Sequence, residues 1–131
     1  MIRFRFMSLL VGVAALTAPA VAAAGPDPTR VSLGPQGSYV SPQQINVSIG
    51  LSCPAGLGYS VFASVLQQQG TFAQVYGEGF TSGACTGQHQ KVAVPVFAFW
   101  WPGWQLGDAL ANVSACSFTC DSAAREIRIG L

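Results

Sequence analysis

The chain has 131 residues, of which 50% are hydrophobic and only 8% are charged, and its formal net charge is +1. This length supports one domain rather than two, and the charged fraction is far below the average of about 25% for soluble proteins. The sequence contains no basic or acidic run, which argues against nucleic acid as a partner.

The N-terminus has the three parts of an export signal. Arg3 and Arg5 provide a positively charged start, residues 7–18 are apolar and uncharged, and Pro19 ends the apolar run before a series of small residues. This order is typical of a signal peptide. An uncleaved membrane anchor is the alternative interpretation, but the apolar run is short for a membrane span and ends at a helix breaker.

The small residues that follow the apolar run allow cleavage after Ala22 or after Ala24, since both sites fit the small-x-small rule. We therefore predict a signal-peptide helix within residues 1–24. Residues 25–131 then form one domain that is secreted or held in the cell envelope, and only an uncleaved signal would contact a membrane. Removal of the signal leaves four basic against five acidic residues, and a near-neutral domain binds polyanions poorly.

Hydrophobic residues alternate with polar ones through most of the predicted domain. In residues 44–53 every second side chain, from Ile45 to Cys53, is apolar. Successive side chains of a strand point to opposite faces, so this pattern predicts a strand with one buried face. In the last strand, Leu131 is predicted to face the core together with two isoleucines. The predicted strands are residues 30–33, 44–53, 59–68, 71–76, 90–96, 109–117 and 122–131.

Glycine and proline predict where strands end or become irregular. Gly34, Pro35 and Gly37 predict a turn after the first strand, and the glycine-rich residues 77–83 predict a mobile segment or an irregular sheet edge. Pro95 has no N–H group and must face away from a ladder hydrogen bond. About seven strands with frequent turn signals favour an all-β fold, an immunoglobulin-like antiparallel β-sandwich.

All four cysteines lie in the predicted domain, and an even number in a small exported domain predicts two disulfides. We favour a long-range Cys53–Cys85 pair. The other two, Cys116 and Cys120, then close a loop of hairpin size. Pairing Cys53 with Cys116 would resemble the inter-sheet bond of antibody domains, but Cys116 lies on the opposite face from the inward-facing Ala115. The spacing disfavours zinc binding by the thiols, so no metal site is predicted.

The feature most suggestive of function is a group of aromatic residues around the Pro-Gly turn at positions 102–103. Its members are Phe97, Phe99, Trp100, Trp101 and Trp104. Two interpretations stay open on sequence alone: the rings cap one end of the core, or they form a binding surface. Exposed rings offer a glycan, lipid or protein a large contact area at low entropic cost, and tryptophan also favours membrane interfaces.

The sequence offers little material for catalysis. His89 is the single histidine and lies in a polar turn without a neighbouring acid, whereas a catalytic triad needs a nucleophile, a base and an orienting acid. The acidic residues are scattered, and Glu78 with Asp108 is the pair considered for a two-carboxylate glycosidase mechanism. Nucleotide-binding and metal-binding helix motifs are absent. We predict no catalytic residue, no cofactor and no metal.

Three segments carry a family resemblance. They are residues 59–67 (YSVFASVLQ) after the strand that ends in Cys53, residues 83–87 (GACTG), and residues 107–115 (GDALANVSA) before the last two cysteines. Over about residues 30–129 the chain resembles small uncharacterised exported actinobacterial proteins with an immunoglobulin-like domain. The resemblance implies a secreted sandwich and brings no catalytic residues. The architecture is also distantly similar to neocarzinostatin-type carrier apoproteins, which implies carriage of a small molecule.

Together these features predict a non-enzymatic module of the cell envelope or the extracellular space. We expect it to bind a glycan, lipid or protein partner through residues 97–104. The alternative hypothesis is a small-molecule carrier with an apolar cleft. An exported hydrolase is less favoured because no catalytic group is assembled. A protease inhibitor is less favoured because the cysteine spacing of actinobacterial subtilisin inhibitors is absent.

Overall fold

A computed structural model describes residues 27–131. The predicted export signal, with its helix and its two cleavage sites, lies outside the described residues. The described part contains seven strands and no helix, which confirms the all-β prediction. The strands are β1 (Arg30–Tyr39), β2 (Gln44–Ser52), β3 (Gly58–Gln69), β4 (Ala73–Ala84), β5 (Gln90–Ala98), β6 (Gly107–Cys116) and β7 (Cys120–Gly130).

The seven strands close into a barrel in the order β1-β2-β5-β4-β3-β6-β7, whereas the sequence predicted two separate sheets. Two short ladders close it. β1 pairs in parallel with β7 through residues 36–38 and 128–130, and β4 pairs with β5 only at Gly77 and Glu78. An alternating pattern reports which face of a strand is buried and not which strand lies beside it, so it cannot reveal such ladders.

The barrel interior is filled by the side chains that the alternation assigned to it. The buried hydrophobic positions of β2, β3 and β6 are Ile45, Val47, Ile49 and Leu51, then Val61, Ala63 and Val65, then Ala109, Ala111, Val113 and Ala115. Ile127 and Ile129 of β7 are buried as well, but the prediction for Leu131 was wrong, because this residue follows the last strand and is fully exposed.

The predicted turn at Gly34, Pro35 and Gly37 is instead an irregularity within β1. The register between β1 and β2 shifts between Leu33 and Gly37, and the strand then continues to Tyr39. A bulge leaves residues outside the ladder, and this is where a strand tolerates a proline without an N–H group. The turn residues therefore mark a bend in one strand rather than its end.

The glycine-rich residues 77–83 also belong to a strand, since they pair without interruption with β3. A Cβ atom at Gly79 would collide with the backbone of Pro95 on β5. Gly79 is thus required by the close approach of β4 to β5. Pro95 lies opposite Asn46 in the β2–β5 ladder, whereas the β4–β5 ladder on its other side covers Ala98 and Phe97 and ends before it.

Both predicted disulfides are confirmed. Cys53 bonds to Cys85, with the two Cα atoms 5.4 Å apart. Cys116 bonds to Cys120, and the same two residues form the last pair of the β6–β7 ladder. Cys53 and Cys85 are buried whereas Cys116 is only half-buried. The inward facing of Cys53 and the outward facing of Cys116 therefore distinguish the observed pairing from the antibody-like one.

We expect Gly79→Ala to lower the free energy of unfolding by about 2–3 kcal/mol, because the added methyl group would push β4 away from β5. Gly130→Ala is the matched control. A Cβ atom there meets nothing within 4 Å, so its effect should stay within about 1 kcal/mol. Denaturant unfolding of both variants measures the difference, and equal values would contradict the close approach at Gly79.

Candidate binding surface at one end of the barrel

The strand directions place three loops at the same end of the barrel. Each strand is antiparallel to its neighbours except that β1 and β7 run parallel. The β1–β2, β3–β4 and β5–β6 connections therefore share one end, which we call the aromatic end. Its loops are residues 40–43, 70–72 and 99–106.

Trp104 anchors the longest of these loops, because its side chain is only 1% exposed and packs in the core. Its indole Nε1 donates a hydrogen bond to the Val96 carbonyl at 3.3 Å, and its backbone N–H donates to the Pro42 carbonyl at 2.7 Å. The neighbouring Gly103 has a φ of +83°, and a Cβ atom there would collide with the Pro42 carbonyl. The β5–β6 loop is therefore packed against the β1–β2 loop.

Gln67 holds the same loop from the other side. It faces inward at the end of β3 and is 2% exposed. Its side-chain amide donates to the Gln105 carbonyl at 2.8 Å and its oxygen accepts from the Gln105 N–H at 3.0 Å. Gln69 donates to the Gly103 carbonyl at 2.8 Å. These bonds satisfy backbone groups of a long loop that has no ladder of its own.

The third contact joins the loop to the β3–β4 hairpin. The Trp100 indole donates to the Gln74 carbonyl at 2.8 Å, and the Phe99 N–H donates to the Tyr76 carbonyl at 3.0 Å. The Phe99 ring meets the Tyr76 ring edge-on with centroids 5.4 Å apart, and the Trp100 ring lies 6.4 Å from it. Offset and edge-on aromatic pairs of this kind are favourable, so the loop is held by all of its neighbours.

The structure divides the predicted aromatic group. Trp104 belongs to the core, as the capping interpretation predicted for all five rings. Phe97, Phe99 and Trp100 are about half exposed, and Trp101 is 85% exposed at the loop tip. Phe72, on the β3–β4 loop of the same end, is 97% exposed. No sequence pattern pointed to Phe72, because this residue stands alone in a short turn.

The contacts of Gln67, Gln69 and Tyr76 with the β5–β6 loop were not predicted from the sequence. The run of three glutamines looks like a polar strand end, yet Gln67 continues the inward series of Val61 and Val65, and this parity was the available signal. Tyr76 packs in the ring cluster, and its hydroxyl donates to Glu78 at 2.7 Å. That hydrogen bond, with smaller contributions from burial and from the carboxylate charge, raises the pKa of Tyr76 above its usual value.

A second apolar surface runs along the outer face of β3, β4 and β6. Phe62 and Phe80 lie opposite each other in the β3–β4 ladder, and both are exposed. Leu66 and Leu110 face each other across β3 and β6. They line a concavity of about 380 Å³ together with Gln68, Gln74, Asp108, Ala109 and Glu126.

The residues considered for catalysis are not brought together. Glu78 and Asp108 lie on β4 and β6, which are separated by β3, and they are offset by four residues along the strand direction. Their Cα atoms are therefore about 16 Å apart. Paired glycosidase carboxylates lie about 5–9.5 Å apart. His89 is exposed in the β4–β5 loop. Within residues 27–131, no group of three or more His, Cys, Asp or Glu side chains is placed to hold a metal ion.

A scan of the chain against protein-family models gives no match, and a search of the curated proteins gives none. Across the described part of the chain, no helix is long and apolar enough to cross a membrane. The functional interpretation of this chain therefore depends on the geometry of the aromatic end and on the sequence.

We expect Gln67→Met to lower the free energy of unfolding by about 1–3 kcal/mol, because the two hydrogen bonds between the Gln67 side chain and the N–H and carbonyl of Gln105 would be lost. Gln68→Met is the matched control, since the exposed Gln68 bonds only to Gly70 and Gln74 at the surface. Denaturant unfolding and the amide exchange rate of Gln105 measure the effect. Exchange at Gln105 that is equally slow in all three proteins would contradict the role given to Gln67.

Proposed function

We propose that this chain is an exported, non-enzymatic binding module that contacts its partner through the aromatic end. The observation that carries the proposal is the exposure of Trp101 and Phe72 on loops that are otherwise firmly held. A ring that the core needs is buried, as Trp104 is, whereas these two contribute nothing to packing. Rigid, exposed aromatic side chains bind partners with little loss of conformational entropy.

Export is supported by the two disulfides, which fit an oxidising compartment, and by the signal pattern of residues 1–24. The barrel order supports an immunoglobulin-like origin for the fold. An immunoglobulin sandwich has one sheet with strands A, B, E and D and another with C, F and G. The observed order β1-β2-β5-β4-β3-β6-β7 joins these two sheets end to end. We propose that the barrel is a closed variant of that sandwich.

The test is co-sedimentation with the two insoluble fractions of an actinobacterial envelope, cell-wall polysaccharide and membranes. We expect the protein to sediment with one of them, and Trp101→Ala to weaken that binding about tenfold or more, since a largely exposed indole would be lost from the contact. The melting temperature of the variant should change by no more than about 3 °C, because exposed positions contribute little to stability.

Phe118→Ala is the matched control for this experiment. Phe118 is also an exposed aromatic residue on a loop, but it lies between β6 and β7 at the opposite end. Binding should be unchanged in this variant. Equal binding by the protein and by Trp101→Ala would contradict the proposal, and so would an equal loss in Phe118→Ala, because that loss would indicate non-specific adhesion.

Carriage of a small molecule is the second candidate function, favoured by the concavity over Leu66 and Leu110. Its volume of about 380 Å³ lies within the range of small-molecule sites. The barrel interior is filled by buried side chains, so a carried molecule would bind on the outer face. Native mass spectrometry of the protein from an actinobacterial host should show a bound mass that Leu110→Glu removes. Protein of bare mass from such a host would exclude this function.

A further inference from the structure

The aromatic end carries no charge in any of its three loops. Residues 40–43 are VSPQ, residues 70–72 are GTF and residues 99–106 are FWWPGWQL. Large hydrophobic side chains are exposed in each of them. These are Val40 in the first loop, Phe72 in the second, and Phe99, Trp100, Trp101 and Leu106 in the third. The surface is therefore apolar across loops that are far apart in the sequence.

The opposite end has a different character. Among the described residues, the large hydrophobic ones exposed in its loops are Leu57 and Phe118 alone, although these loops are uncharged as well. Arg30 opens β1 and Asp121 lies at the start of β7, where its carboxylate accepts a hydrogen bond from the Val31 N–H at 2.8 Å. Apolar exposure is thus concentrated at one end of the barrel and is not a general property of this weakly charged chain.

Trp101 and Phe72 project from the aromatic end and line none of four concavities of the described part of the chain. The concavity over Leu66 and Leu110 reaches Gln68 and Gln74, which flank the β3–β4 loop, but does not include the exposed rings. Small molecules are usually held in concave sites that bury most of their surface. Projecting, uncharged rings suit a soft apolar medium that closes around them, and the interface of a lipid bilayer is such a medium.

The chemistry of the exposed side chains fits that interface. Tryptophan is enriched where hydrocarbon meets the headgroups, because its ring is apolar and its N–H group needs a polar partner. Trp101 and Phe72 project from two separate loops. Trp100 precedes Trp101, and its indole is hydrogen-bonded to Gln74 of the β3–β4 hairpin. Several anchors on a rigid frame enter the interface together without a further ordering cost.

We propose that the aromatic end docks on the surface of a lipid bilayer, with Trp101 and Phe72 inserted among the headgroups and upper acyl chains. This inference rests on the proposed function and names the partner of the same surface. Because the three loops are uncharged and residues 27–131 carry four basic against five acidic residues, docking is driven by apolar burial. It therefore needs no anionic lipid and resists salt, unlike binding by a basic patch.

The experiment is vesicle flotation with disulfide-bonded protein recovered from the medium of an expressing host. Its N-terminus is determined by mass spectrometry, so that no remaining part of residues 1–24 supplies a second membrane-binding segment. One set of vesicles is phosphatidylcholine alone and the other is a mixture with phosphatidylglycerol, each at low and high salt. We expect equal partitioning in all four conditions.

The variants assign the contact to individual residues. Phe72→Ser and Trp101→Ser should each lower the partition coefficient about tenfold or more, since each removes a large apolar side chain from the interface. The two losses should combine approximately additively, because the residues lie on different loops. Phe118→Ser at the opposite end and Phe80→Ser on the outer sheet face are matched controls that should bind normally.

Fluorescence gives an independent measure of insertion. Brominated phosphatidylcholine should quench the emission of the bound protein. Trp101→Phe should keep its binding but lose the share of the quenching that comes from Trp101. The half-exposed Trp100 should still be quenched in this variant, whereas the buried Trp104 contributes an unquenched background. Absence of vesicle binding would overturn the inference, as would binding that needs phosphatidylglycerol or that the two serine variants leave intact. Trp101-dependent binding to cell-wall polysaccharide without vesicle binding would overturn the inference and leave the proposed function standing.

Discussion

The structure of the aromatic end depends on Trp104 and Gln67, whose buried side chains lie beneath the β5–β6 loop at this end of the barrel. A loop of eight residues without a ladder has backbone groups that must find partners, and Gln67 supplies both a donor and an acceptor to Gln105. Trp104 adds the apolar volume. Once these two positions are fixed, the path of the loop directs Trp101 outward.

The two ends of the barrel are stabilised by different means. Both disulfides lie at the end opposite the aromatic end, since Cys53 and Cys85 flank the β2–β3 and β4–β5 loops and Cys116 and Cys120 flank the β6–β7 loop. Covalent bonds limit the freedom of the unfolded chain, whereas the aromatic end depends on hydrogen bonds and packing. The exposed rings therefore lie where no covalent bond fixes the loops.

The sequence allowed much of the fold to be predicted, because strands with one buried face repeat every two residues. The strands β2, β3 and β6 were predicted with nearly their observed bounds and faces. The continuation of β1 through Pro35 and of β4 through Gly79 was not predicted. Both residues weaken a strand in general, and only the position of the neighbouring strand shows why they are tolerated here.

The candidate site was predictable in composition and not in arrangement. Five clustered aromatic residues indicate a loop of unusual composition. The burial of Trp104 and the exposure of Trp101 depend on contacts of this loop with Pro42, Gln67 and Gln69. Such contacts join residues that are far apart in the sequence, and no local pattern encodes them. Phe72 can be assigned to this surface only from the barrel topology, which places its loop at the same end as Trp101.

This dependence explains why composition left the two interpretations of the aromatic group open. Burial of one ring and exposure of its neighbours are consequences of the same loop path, so capping and exposure are not alternatives in this protein. A large ring inside the barrel end fixes the loop, and the fixed loop keeps the outer rings from folding back onto the surface. An apolar side chain held away from the core gains no burial energy on folding. Trp101 and Phe72, the two most exposed rings, therefore add little to the stability of the barrel, and contact with a partner is where their apolar area can be buried.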